Sequence, residues 1–151
     1  MILKKSKSIL IILVFIISIL GFNLKSVHSI DNGNEQEYEQ YVLTWIDEFV
    51  KIQEENPLIF SIETKYLDAN REAIQLRNRV INNFQYEENR VPEKYKDVHQ
   101  ELLQVLTVYK DAYDNLYIAI TTGDSRLVGE NVGKLYQSDI VLNRIKNTLS
   151  T

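Results

Sequence analysis

The sequence predicts an all-α protein, an up-down-up-down four-helix bundle preceded by a signal peptide. Three observations predict it. Apolar residues recur at three- and four-residue spacing through four successive segments. The breaks between those segments fall at Pro57, Pro92 and Gly123, residues that start or stop helices. The first 29 residues carry no acid and set an apolar run behind a cluster of lysines.

That first segment reads as the signal peptide. Lys4, Lys5 and Lys7 form its charged start, and Ile9 to Phe22 is apolar apart from Ser18 and Gly21. Val27-His28-Ser29 places cleavage after Ser29. The apolar run is shorter than the roughly 20 residues a membrane span needs, so the mature chain is expected to be secreted or held at the cell surface. The alternative is membrane anchoring through an uncleaved N-terminal segment. Residues 30–36 (IDNGNEQ) are polar and read as a flexible N-terminus, followed by a bundle domain over 37–151.

The first helix is expected over about 35–54, with Tyr38, Tyr41, Val42, Trp45, Phe49 and Ile52 on one face. Between Asp31 and Glu63 stand nine acids and one base, Lys51, so its outer face should be strongly negative. Asn56-Pro57 breaks the pattern, and a second helix is expected from Pro57 to Phe84. Ile59, Ile62, Tyr66, Ala69, Ala73, Leu76 and Val80 make one of its stripes; Phe60, Leu67, Ile74 and Ile81 make another. Glu63, Asn70 and Arg77 run between them as a polar line.

Residues 85–91 (QYEENRV) read as a surface loop. The third helix, Pro92 to Gly123, has the longest amphipathic pattern: Tyr95, Leu102, Tyr109 and Leu116 alternate with Val98, Val105, Ala112 and Ala119, and His99, Leu106, Tyr113 and Ile120 widen the stripe. Gly123 suits a left-handed helix end, and Asp124 or Ser125 caps the next helix. The fourth helix, about 125–149, repeats Val128, Leu135, Leu142 and Leu149 every seven residues. Gly129 and Gly133 weaken it by roughly 1 kcal/mol each relative to alanine and mark a candidate tight helix contact.

Composition excludes several functions. The chain has no cysteine, which removes disulfides, thiol chemistry and a lipid-accepting residue. The first 29 residues hold four of the 17 basic residues and none of the 21 acids, which leaves the rest of the chain at −8. That charge argues against nucleic acid and anionic membrane as partners. A di-metal bundle site needs Glu three residues before His; Lys96 stands there, and no second histidine survives cleavage, so no metal or other cofactor is expected. Nucleophile elbows, phosphate loops and zinc motifs are absent, so no catalytic residue is assigned.

The candidate polar layer or pocket comprises Glu63, Asn70, Arg77 and His99. Symmetric hairpins about the 85–91 loop would set Arg77 near His99, Asn70 near Thr107 and Glu63 near Tyr113. The layer either fixes helix register or lines a small-molecule or ion site. Tyr86 and Tyr117 fall outside the main stripes and are candidate surface contacts for a partner. Pro92, Tyr95, His99, Leu102, Tyr109, Leu116 and Gly123-Asp124 resemble the helical hairpin of small exported proteins of unknown function from low-GC Gram-positive bacteria. The resemblance implies export and a helical fold and carries no activity. The expected function is therefore an exported, non-enzymatic bundle, monomer or homodimer, that binds a protein or cell-envelope component. The alternative is a small-molecule or ion sensor or carrier.

Overall fold

Helix α1 (Glu35–Glu55) begins where Asn34 Oδ1 accepts from the backbone N–H groups of Gln36 and Glu37, at 3.1 and 3.4 Å. Those are two of the four donors that a helix start leaves unpaired. The computed structural model describes residues 34–151; the signal peptide (1–29) and residues 30–33 of the N-terminal stretch lie outside the described residues. The helix ends where the Asn56 side chain and backbone N–H both donate to Ile52 O. Pro57 has no N–H to extend it.

The second helix differs from expectation. Residues 57–63 are irregular, Thr64–Tyr66 form a 3₁₀ turn, and α2 spans only Leu67–Asn82. A helix starting at Pro57 would leave one residue, Asn56, to reverse the chain, whereas bundle connections take about 2–8. The reversal is fixed by Asn70. Its amide Nδ2 donates to Ile59 O and its Oδ1 accepts from Ile59 N–H, both at 2.9 Å.

The next connection, 83–95, is longer than the 85–91 loop expected. It crosses one end of the bundle through two 3₁₀ turns, Glu88–Arg90 and Glu93–Tyr95. Tyr41 Oη holds it, donating to Gln85 O and accepting from Gln85 N–H at 2.9 Å each. Helix α3 (Lys96–Thr122) then runs to Gly123, whose φ of 72° is the left-handed cap the sequence predicts. Asp124 caps α4 (Ser125–Leu149) by accepting from Leu127 N–H at 3.0 Å.

The four helices form an all-α, up-down-up-down bundle. Tyr38 meets His99, Phe49 meets Tyr109 and Gln53 meets Tyr113, so α1 and α3 run parallel. Asp47 pairs with Lys146 and Gln53 reaches Asp139, so α1 and α4 run antiparallel. The core is centred on α3, with Leu102, Tyr109, Ala112, Leu116 and Ala119 fully buried. Because α2 is short, it covers the C-terminal half of α3, where Asn78 bonds Asp114 and Arg71 bonds Tyr117. Phe84, Tyr86, Val91 and Tyr95 of the 83–95 segment pack over the rest.

Candidate functional site

The four candidate layer residues do not converge. Glu63 sits in the irregular segment, exposed and paired with Lys65 at 2.6 Å, and not beside Tyr113. It left the interior because α2 starts after it. Asn70 is buried and occupied by its clamp on Ile59.

Arg77 is 3% exposed and faces Tyr113, its guanidinium 5.7 Å from the ring. Tyr113 lies fourteen residues past His99, about 21 Å along an α-helix. The expected Arg77–His99 contact is therefore overturned, because the turn between α2 and α3 spans 83–95 rather than a tight symmetric loop. One guanidinium nitrogen donates to Ala73 O at 3.0 Å and another to Gln53 O at 3.3 Å, while Nε has no partner. Gln53 is the residue whose helical donor would be Pro57 N–H, which does not exist. Arg77 thus caps the C-terminus of α1 from a neighbouring helix and puts a cation at the negative end of its dipole. Burial pushes the guanidinium down from its usual range; Tyr113 and Asp139 oppose that shift.

The same layer draws residues from all four helices. Gln53 Nε2 donates to Tyr113 Oη at 3.2 Å and lies 3.4 Å from Asp139 Oδ1. Tyr109 Oη donates to the same Asp139 oxygen at 2.5 Å. Gln53 and Asp139 were not singled out from sequence; each lies at the edge of an apolar stripe, where polar residues are unremarkable. The α4 residue that meets Tyr109 is Asp139, and Tyr136, one turn away, is 63% exposed.

His99 occupies the opposite end, 2% exposed. Its Nδ1 lies 3.2 Å from Tyr38 Oη, and its ring stands 5.8 to 6.4 Å from those of Tyr38, Phe84 and Tyr86. Burial pushes the imidazole down from its ordinary value, and Glu88 opposes this. The imidazole is bonded to the Tyr38 phenol and ringed by aromatics, and no carboxylate is a hydrogen-bond partner of its ring among the described residues.

The two candidate surface tyrosines are engaged within the chain. Tyr86 is half-buried against Tyr38, Tyr41 and His99, under the Arg90 guanidinium. Tyr117 Oη accepts from Arg71 Nε at 2.9 Å. The acidic face of α1 is also less negative than expected. Glu35 pairs with Lys94, Glu37 with Arg90 and Asp47 with Lys146. All three cations arrive from distant parts of the chain.

The open surface of the described residues includes two grooves between helices. One, about 640 Å³, lies between α3 and α4, with Val105, Val108 and Val141 among its lining and Glu101, Lys134 and Gln137 at its polar edges. The other, about 490 Å³, lies between α1 and α2 over Tyr41, Trp45 and Val80, with Glu37 and Glu48 beside it. No described helix is long and apolar enough to cross a membrane. No protein-family model, curated protein or solved structure matches the chain.

Proposed function

We propose that this chain is an exported, non-enzymatic helical bundle that binds a protein or envelope partner, and that the partner enters the α3–α4 groove as an amphipathic helix. The groove is the observation that carries the reading. On α3 it is lined by Glu101, Gln104, Val105 and Val108, and on α4 by residues at matching three- and four-residue spacing. Two parallel ridges with apolar side chains between them suit a third helix that lays its own apolar stripe along them. Val108 is 40% exposed there with no neighbour to cover it. The groups able to do chemistry support the same reading, since Asn70, Arg77 and His99 all hold backbone or aromatic partners inside the bundle.

The test is capture of envelope components by the chain from Ile30 onward, run beside Val108→Glu. A partner retained by the natural sequence and released by the charged variant is expected. Repeated recovery of nothing above background from the natural sequence would count heavily against binding. Export is checked separately: N-terminal sequencing of secreted material should begin near Ile30, and an intact Met1 in the membrane fraction would favour the anchored alternative.

A further inference from the structure

A second unpartnered surface lies on α4, turned away from the core. Tyr136 and Ile140 are 63% and 48% exposed, and no other described element covers them. Gly129 and Gly133 precede them on the same helical face, at successive spacings of four, three and four residues. That spacing is the rhythm of a helix-packing seam, repeated on the side opposite Leu135 and Leu142. Glycine at these two positions serves no contact among the described residues, since a Cβ at either would meet nothing within 4 Å there. The tight helix contact expected at Gly129 and Gly133 is therefore not made with another described helix.

From this face we infer that α4 docks against α4 of a second copy of this chain, antiparallel, about a two-fold axis. The argument is register. The two large side chains and the two glycines have the same four-residue separation. An antiparallel copy that seats Tyr136 over Gly133 of the second copy therefore also seats Ile140 over Gly129 of that copy. Two-fold symmetry then repeats both contacts in the other direction, as an isologous interface requires. An unrelated partner would have to supply both bumps and hollows at this spacing; a second copy already has them.

The charges at the edge accept the arrangement. In this register Arg126 comes opposite Asn143 of the second copy, which sets Arg126 and that copy's Arg144 one residue apart in level. Each already holds a carboxylate, Glu130 for Arg126 and Glu101 for Arg144, so the edge forms a four-charge cluster of zero net charge. The twelve residues from Gly129 to Ile140 span about 16 Å of helix, which makes a small interface at the weak, reversible end of the range. Of the four seam residues only Gly133 also lines the α3–α4 groove, which the edge carboxylates Glu101 and Glu130 line as well; the inference rests on the seam and not on the proposed function.

Sedimentation equilibrium of the chain tests it, with Gly129→Leu and Tyr136→Ala as variants. The natural sequence should dimerise with a Kd between about 1 and 100 μM, and each variant should weaken that at least tenfold. Gly129→Leu enters open space and raises helix propensity, so its melting temperature should be no lower than that of the natural chain; loss of the dimer then cannot be ascribed to misfolding. A chain that stays monomeric at several hundred micromolar would overturn the inference. So would a dimer that both variants leave intact, and so would one lost only in Val108→Glu, which would place the second copy in the other groove.

Discussion

Replacing Arg77 by methionine isolates the interaction that ties three helices together. The substitution keeps the volume near constant and removes the charge. Two effects oppose each other. Removing a buried guanidinium with an unpartnered Nε relieves desolvation, which on its own favours the variant. Against that, Gln53 O loses a donor that the chain cannot replace, because Pro57 has no N–H. A hydrogen bond from a charged donor contributes about 1.5–3 kcal/mol, and a cation at a partly buried helix C-terminus adds up to about 2 kcal/mol. Ala73 O keeps its helical bond and loses little. Asp139 also loses the favourable charge of Arg77. The cap should prevail, leaving Arg77→Met less stable by about 2–3 kcal/mol. With a urea m-value of about 1.5 kcal/mol/M, the midpoint falls by roughly 1.3–2 M. Arg77→Lys, which can reach one carbonyl, should recover part of the loss. A variant as stable as the natural chain, or more so, would refute the capping argument and show that desolvation dominates at this site.

Acid should destabilise the chain through His99. Its folded-state pKa is depressed below the ordinary 6.5 by burial, so the native state binds fewer protons than the unfolded one. The contribution is present above 6.5 and is lost as pH falls through the folded value. Urea midpoints from about pH 7.5 down to about pH 5 should drop more steeply for the natural chain than for His99→Gln; parallel curves would clear His99 of the effect. Asn70→Ala should cost about 2 kcal/mol for its two bonds and raise hydrogen exchange at Ile59 more than in α3. If α3 loosens equally, the clamp is not local. Gly123→Ala should cost about 1 kcal/mol from the left-handed backbone alone, since no atom lies within 4 Å of the new Cβ; a much larger loss in thermal unfolding would point to a clash that the structure does not contain.

The positions of the candidate layer residues were partly legible in the sequence. Burial of Asn70, Arg77 and His99 follows from the helical period that sets them among apolar stripes. Their partners do not, because a partner depends on how far one helix has slid along another. Nothing local in residues 83–95 says that they cross the bundle end and displace Arg77 by fourteen residues along α3. Glu63 shows the converse failure. Its seven-residue spacing from Asn70 is a fair helical signal, overridden by the need for chain between α1 and α2 to reverse direction.

The sequence by itself determined that the described chain is helical, where α1, α3 and α4 begin and end to within a few residues, and which face of each is buried. Those properties depend on residues three or four apart and on single capping groups such as Asn34, Gly123 and Asp124. Tertiary structure decided the rest. It set the start of α2 through Asn70 and Ile59, gave Arg77 its role at the end of α1, and neutralised part of the acidic face with Arg90, Lys94 and Lys146. It also left Tyr136 and Ile140 uncovered. Each of these joins residues distant along the chain, and only packing of the whole bundle fixes the register that brings them together.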